Sequence, residues 1–291
     1  MIVVDTFVAA RGASSEVVGL TPTMGSLHEG HAACITALRG RCDTLVMSLF
    51  INPLQFDDPA DLERYPRDFD RDLLIAERAG VDIVFAPGNA EMYPETPLTR
   101  VRVAGVGDAM EGAHRPGHFE GVATVVVKLL AGLRPDWVSF GRKDAQQLAV
   151  VRALVRDLSF PVGVVGVPTV RETDGLAMSS RNVFVEDRKA ALGLSRGLFA
   201  AADAAAAGQR SGAVLERIVA DAVTAAGGAV DYVSLADADT AQSISELDRS
   251  AFLAVAAMVG RVRLLDNVFL EPDGKSDRGS RLEAGSTPGG D

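Results

Sequence analysis

The sequence predicts an α/β fold: a doubly wound parallel sheet followed by a second, smaller α+β domain. Three observations carry this. Strand-length apolar runs alternate with helix-length stretches up to about residue 170. Those runs are rich in Val, Leu, Ala and Gly and poor in aromatics (5% of the chain), which suits strands buried on both faces. After about residue 171 the order changes to two helices and then three strand-like runs.

The first strand is VVGLTPT (17–23), running into a turn and a helix from about His31 to Gly40, where Cys34, Ile35 and Leu38 recur at helical spacing. TLVMSLF (44–50) is the second strand and stops at Asn52-Pro53; a charged helix over about 68–80 closes at Gly80. IVFAP (83–87) is the third strand, and the alternation in TRVRVA (99–104) predicts a short one. FEGVATVVVKLLAGL (119–133) reads as a buried helix, WVSFG (137–141) as a strand, KDAQQLAVVRALVRDL (143–158) as a helix and VGVVGVPTV (162–170) as a strand. Such alternation implies parallel strands with helices on both faces. Helices follow over 187–207 and 213–226, then the runs 230–236, 251–259 and 262–270, the last two too close to be other than antiparallel. The predicted boundaries are 1–170 for the parallel-sheet domain, 171–272 for the smaller one and 273–291 for a polar, Gly/Ser-rich tail expected to be disordered.

A net charge of −10 without a Lys/Arg run argues against broad nucleic-acid binding. Cys34 and Cys42 lack CxxC spacing and read as reduced thiols. No apolar stretch reaches membrane-spanning length and no leader pattern opens the chain, so a cytoplasmic protein without a membrane role is expected.

Three segments carry chemistry. PTMGSLHEGH (22–31) sits at a strand-to-helix junction, where a helix N-terminus offers unbonded N–H groups and positive potential to a phosphate. Gly25 and Gly30 admit close approach, and His28 and His31, three residues apart, share a face. Taken alone, this pair fits satisfied structural histidines, a metal pair or phosphate donors; the lack of a further His or Cys nearby weighs against metal. GRKDAQQ (141–147) is a second such junction, where Lys143 can neutralise phosphate, Asp144 can hold a hydroxyl or a cap, and Gln147 lies one turn beyond Lys143. The third, MSSRN (178–182) after Asp174-Gly175, groups hydroxyls and a guanidinium suited to clamping phosphates. By themselves the second and third read equally as a capped helix start and a polar loop.

Taken in order, the His-x-Gly-His motif and the Met-Ser-Ser-Arg loop resemble the signature pair of the class I aminoacyl-tRNA synthetase and nucleotidyltransferase superfamily. PTMGSLHEGH, FINPLQF (50–56), RPGHFEGVATVVVKLL (115–130), FGRKDAQQ (140–147) and VPTVRETDGLAMSSRN (167–182), with a weaker echo at RLLDN (263–267), resemble the pantoate–β-alanine ligase family more closely. Two departures are Arg142, where that family usually has Glu, and Asp57-Asp58-Pro59 in place of a Gly-rich turn.

The resemblance implies a Rossmann-like fold and the ATP-dependent joining of pantoate to β-alanine through pantoyl adenylate, with release of diphosphate and AMP, Mg2+ accompanying the nucleotide, and a homodimer. It implies His31, His28, Lys143 and Arg181 as catalytic groups, His31 being the candidate proton donor. ATP is expected along Met24, Gly25, Ser26, Leu27, His28, Glu29, Gly30 and His31, and along Gly141, Arg142, Lys143, Asp144, Val170, Met178, Ser179, Ser180 and Arg181. Gln55, Gln147, Met24 and Asn52 are expected around pantoate and β-alanine, with Phe50 as an apolar wall and Arg115 and Tyr65 as gate residues. No metal ligand is assigned. Segment 174–182 is expected to close over ATP about the Asp174-Gly175 hinge, as part of a lid formed by the smaller domain. The rival reading is a nucleotidyltransferase of coenzyme biosynthesis, which shares His-x-Gly-His without needing FINPLQF or FGRKD.

Overall fold

The computed structural model describes residues 1–283. The chain divides into two compact units, one of Met1–Gly141 with Val150–Val167, the other of Arg142–Ala149 with everything from Pro168 onward. The units thus interleave along the chain, whereas the sequence suggested a single boundary at 170.

The first unit is built on strands β1 (Ile2–Val4), β2 (Val18–Thr23), β3 (Thr44–Leu49), β4 (Ile83–Phe85), β5 (Trp137–Gly141) and β6 (Gly163–Val167). All pair in parallel in the order β1-β4-β3-β2-β5-β6. Its helices are α1 (Phe7–Ala13), α2 (Glu29–Arg39), α3 (Pro59–Arg64), α4 (Phe69–Arg78), α5 (Asn89–Met92), α6 (Glu111–His114) and α7 (His118–Leu133); α8 (Ala145–Asp157) is shared between the units. One sheet face packs Leu45, Met47 and Val84 against Ile35 and Leu38 of α2 and Ala76 of α4, all fully buried. Each large aliphatic removed from water here stabilises the unit by about 1.5–3 kcal/mol. Phe85, one residue on from Val84, points to the other face and meets Phe7 of α1 at 4.8 Å between ring centroids. Strand order reverses between β2 and β5, so the carboxyl ends of these strands flank the switch point where open α/β sheets bind ligands.

Residues 99–104 form no strand; Val101 N–H donates to the Thr124 hydroxyl of α7 (3.0 Å) rather than to a neighbouring strand. The predicted strand 162–170 breaks at Pro168, which lacks the N–H a ladder needs, and resumes as β7 (Val170–Arg171). Strand β1 and helix α1, three and seven residues long, carried too few periodic positions to be read in advance.

In the second unit, α9 (Arg188–Ala206) and α10 (Gly212–Ala225) pack on an antiparallel sheet of β8 (Ala229–Asp237), β9 (Ala251–Val259), β10 (Val262–Leu270) and β11 (Ser276–Asp277), ordered β11-β10-β9-β8. Its core joins Leu194, Leu198 and Val219 from the helices to Leu253, Val255 and Val268 from the sheet. The expected disordered tail is corrected over 273–283: β11 pairs with β10, and β12 (Ser280–Arg281) runs parallel to β7. Polar composition concealed these strands because their partners are backbone groups, with Ser280 N–H bonding Thr169 O and Leu282 N–H bonding Arg171 O, both at 2.9 Å. The rest of the expected tail, 284–291, lies outside the described residues.

Candidate active site

The chain leaves Thr23 through Met24 and turns on two residues with positive φ, Gly25 at 87° and Ser26 at 53°. Gly25 is required twice over: a side chain there would be strained, and its Cβ would lie 2.9 Å from Asp72 Oδ2. Ser26 has no such exemption and holds a conformation that costs about 1–3 kcal/mol unless the surroundings impose it. Asp72 on α4 imposes it. Its carboxylate, 1% exposed, accepts from Ser26 N–H (2.9 Å) and Leu27 N–H (2.7 Å), while the Leu27 side chain is fully buried. Burial pushes the Asp72 carboxyl above its ordinary pKa although both amides pull it down. Sequence reasoning missed Asp72, which reads as one more polar residue of a charged helix.

This turn delivers His28 as N-cap of α2. His28 Nδ1 accepts from Gly30 N–H (3.1 Å), and His31 Nδ1 accepts from His28 N–H (3.2 Å). The two rings, half-buried, lie 4.1 Å apart centroid to centroid. A neutral imidazole that accepts at Nδ1 carries its proton on Nε2, so both rings present Nε2–H donors. Together with the first-turn amides they make a donor surface suited to phosphate oxygens. Glu29, at the first helical position, has a buried Oε2 with no hydrogen-bond partner among the described residues.

Gln55, Asn52 and Met24 also come together in this unit. Asn52 is 1% exposed: its amide donates to Gln55 Oε1 (3.0 Å) and Gly121 O (3.1 Å), and its Oδ1 accepts from Leu54 N–H (3.3 Å) and the Tyr93 hydroxyl (2.9 Å). Through the first of these bonds Asn52 orients Gln55. Gln55 Nε2 faces Met24 Sδ at 3.2 Å, a weak acceptor that a ligand oxygen would improve on. The Gln55 carbonyl is gripped by Arg115 Nη2 (3.3 Å) and His118 Nδ1 (2.9 Å), so Arg115 anchors this turn and also pairs with Asp57 at 3.4 Å. Gly121 of α7 lets the turn approach so closely that a Cβ would sit 2.2 Å from Leu54 O. Phe50 is buried against Tyr93, and Tyr65 caps α3 with its ring edge-on to Phe56. Burial pushes the Tyr93 phenol up to about 12. Tyr93 was not anticipated, since a lone Tyr before a Pro signals nothing in sequence.

The second unit gathers the other candidates. One cleft is lined by Lys143, Ser179, Arg181 and Asn182 over an apolar floor of Leu176 and Ala177. Lys143 lies in the 3-10 turn Arg142–Asp144 and its ammonium meets Asp144 at 3.3 Å. Ser179 caps the 3-10 turn Ser180–Phe184, its hydroxyl accepting from Arg181 N–H at 3.3 Å. Met178 N–H bonds Val170 O at 2.9 Å, which joins the Met-Ser-Ser-Arg loop to β7. Gln147 follows on α8 and is half-buried; Gly141 ends β5 in the first unit.

The loop expected to hinge at Asp174-Gly175 is tied at its base. Arg188 bonds Glu172 (2.5 Å) and Asp174 (2.8 and 3.0 Å), Asn182 bonds Glu172 (2.7 Å) and Ala177 O (3.1 Å), and Arg171 bonds Gly175 O (3.2 Å). The Arg188 guanidinium holds the Asp174 carboxyl below its ordinary range. Arg142, the departure from the expected Glu, pairs with Asp277 at 2.8 Å and stacks over Phe269 at 5.0 Å.

A parallel sheet whose switch point carries a phosphate-suited helix start defines a nucleotide-handling α/β enzyme fold. The family model described as Pantoate-beta-alanine ligase matches residues 3–269. A pantothenate synthetase of Moorella thermoacetica is 47% identical over 271 residues, covering 92% of this chain and 96% of its own, and one of Pelobacter propionicus is 50% identical over 256 residues, covering 87% and 90%. The crystal structure of pantothenate synthetase from Thermus thermophilus superposes with a TM-score of 0.88 at 47% identity, over 92% of this chain and 98% of that one. A Francisella tularensis pantoate-beta-alanine ligase, crystallised with beta-gamma ATP and beta-alanine, gives 0.72 at 28% identity, over 92% and 97%. The chain belongs to the pantoate–β-alanine ligase family and is an enzyme of that family. No helix among the described residues is long and apolar enough to cross a membrane.

Proposed function

We propose that this chain activates pantoate with ATP as pantoyl adenylate and transfers the pantoyl group to β-alanine, releasing diphosphate and then AMP. The observation that carries the proposal is the pair of Nε2–H donors on His28 and His31, fixed by backbone amides at the start of α2. In the first step a pantoate carboxylate oxygen attacks the α-phosphorus and the bond to the bridging oxygen of diphosphate breaks. Negative charge moves onto the leaving group, so donors held in place before reaction lower the barrier without reorganising. His28, His31, Lys143 and Arg181 take this role, His31 as a hydrogen-bond donor through its Nε2–H. Ser179 and Ser180 add hydroxyl donors, and the remaining candidate residues of 24–31, with Gly141, Arg142, Asp144, Val170 and Met178, bind the nucleotide.

Gln55 reads pantoate through the Nε2 group now resting on Met24 sulfur, and Gln147 supplies a second amide. Neutral amides suit an anion that must still act as nucleophile, because a tight ion pair would quench its reactivity. In the second step the neutral β-alanine amine attacks the activated carbonyl, the bond from that carbon to the phosphate oxygen of AMP breaks, AMP leaves and the nitrogen loses a proton to water. Mg2+ bound with ATP would supply positive charge to its phosphates. Among the described residues no group of three or more His, Cys, Asp or Glu stands ready for a metal. The second unit serves as the lid, and the enzyme works as a cytoplasmic homodimer; a sedimentation mass of 30.5 kDa under assay conditions would rule the dimer out.

The test is pantoate-dependent exchange of labelled diphosphate into ATP by wild type and His31→Ala. Loss of one charge-stabilising donor should cost about 10²–10³-fold. Near-normal exchange by the variant refutes the role of His31, and AMP formation independent of pantoate refutes the reaction.

A further inference from the structure

The RLLDN segment has no role in the reaction outlined above, yet its last residue makes an unusual set of contacts in the second unit. Asn267 lies on β10 and is 3% exposed. Its side-chain Nδ2 donates to two consecutive backbone carbonyls, Lys143 O at 2.6 Å and Arg142 O at 3.0 Å. Asn267 is itself held from behind. Its N–H donates to Asp266 Oδ1 (2.7 Å), and its carbonyl accepts from Arg171 Nη2 (3.1 Å). Asp266 and Arg171 form a bidentate pair at 2.7 and 3.0 Å, 3% and 0% exposed. Arg171 also bonds the carbonyl oxygens of Gly175 and Arg278.

The amide orientation is fixed by these partners. A flipped side chain would set Oδ1 against two carbonyl oxygens, so Nδ2 must face the turn. Asn267 Oδ1 is then left buried without a hydrogen-bond partner among the described residues. A stranded acceptor is a cost that an apolar residue of similar size would not carry. The residue is therefore poorly explained by packing and well explained by its grip on residues 142 and 143.

We propose that Asn267 is a positioning residue for Lys143. It clamps the peptide carbonyls on both sides of the Lys143 Cα, and the buried Arg171–Asp266 pair braces the clamp. The ammonium of Lys143 is thereby aimed by a side chain 124 residues away in sequence. This inference rests on the reading that Lys143 acts on phosphate during adenylate formation.

The experiment is a double-mutant cycle in the full chain, with AMP formation from ATP, pantoate and β-alanine as readout. Asn267→Ala should lower kcat about 10–100-fold, as expected for a misplaced charge-stabilising group, and leave KM for β-alanine unchanged. In a Lys143→Ala background the same change should cost less than about twofold, because residues acting as one unit are non-additive. Asn267→Asp, which turns carboxylate oxygens toward the two carbonyls, should match Asn267→Ala. If Asn267→Ala does not fold, Asn267→Ser, which keeps a donor of shorter reach, takes its place in the cycle. Equal fold-losses in both backgrounds, or an Asn267→Ala enzyme with wild-type kcat, overturn the proposal. A second readout needs no turnover: the rate of lysine acylation, mapped by peptide mass spectrometry. Labelling of Lys143 should change at least about threefold in Asn267→Ala, while the exposed Lys189 stays constant. Unchanged Lys143 labelling overturns the positioning role. A wild-type enzyme that forms no AMP, yet whose Lys143 labelling responds to the variant, overturns the ligase reading and leaves the positioning role standing.

Discussion

Replacing Asp72 with Asn tests whether the histidine pair is held in place from α4. The carboxylate now serves two amides, Ser26 N–H at 2.9 Å and Leu27 N–H at 2.7 Å. An Asn in the same rotamer has one carbonyl oxygen for one of them and turns its NH2 group toward the other. One charge-assisted bond is lost and a buried donor is stranded, a penalty of about 2–4 kcal/mol. The raised pKa of Asp72 shows that burying the charge is itself unfavourable, and removing that charge returns part of the penalty. A net loss of about 2 kcal/mol in urea unfolding is expected. Ser26, freed from its constraint, can relax toward negative φ and carry the N-cap of α2 with it. Misplacing His28 and His31 by about 1 Å should lower kcat on the order of 10²-fold. Unfolding midpoint and AMP formation are measured on the same preparation. A variant with the wild-type midpoint and a kcat within twofold of wild type would show that the turn holds itself and that Asp72 does not support it.

Tyr93→Phe probes the support of Asn52. The phenol is pushed up to about 12 in the folded chain, so between pH 10 and 12 the unfolded state releases a proton that the native state keeps, and stability falls as pH rises through that window, by about 2–3 kcal/mol in all. The Phe variant should lose about 1 kcal/mol at pH 7 and be spared this alkaline loss; parallel pH profiles for the two proteins would contradict the assignment. Arg142→Glu would set a carboxylate against Asp277 and remove the stack on Phe269. Hydrogen exchange of the 276–282 amides should quicken about 30-fold, as expected from losing an ion pair and a cation–π contact of about 1 kcal/mol each, and unchanged exchange would refute the link. Arg188→Ala should hasten protease cleavage within 174–182, and acid should do the same in wild type: the Asp174 carboxyl is held below its ordinary pKa, so its bond to Arg188 persists above that range and is lost as pH falls through the lowered folded value. Cleavage that is insensitive to both would show that the loop is anchored elsewhere.

The parallel sheet was legible because β2, β3, β5 and β6 are continuous apolar runs and the helices between them keep a 3.6-residue stripe. The histidine pair was legible because its members and the glycines that serve them are neighbours in sequence. What failed were features defined by distant partners. Asp72 reaches back 45 and 46 residues to Leu27 and Ser26, and Asn267 reaches 124 to Lys143. Strands β11 and β12 are two residues each and polar, so no periodicity marks them. TRVRVA misled in the opposite direction, showing strand alternation where Val101 bonds a helix hydroxyl. The partners of Asn52, which are Gln55, Gly121, Leu54 and Tyr93, lie up to 69 positions away in sequence and only coordinates could reveal them.

The interleaving of the units along the chain bears on how the protein is made. Residues 142 and 143 leave the ribosome long before Asn267, 125 and 124 positions later, and before Asp277, 135 positions after Arg142. At typical elongation rates of about 5–20 residues per second, that is a wait on the order of ten seconds. Once made, Arg171, destined for full burial, has no Asp266 to meet until 95 further positions have been added. The nascent chain therefore carries an unmatched guanidinium and a loose 142–144 turn until β10 emerges, and translation pauses placed before codon 266 should leave it exposed to proteases and chaperones.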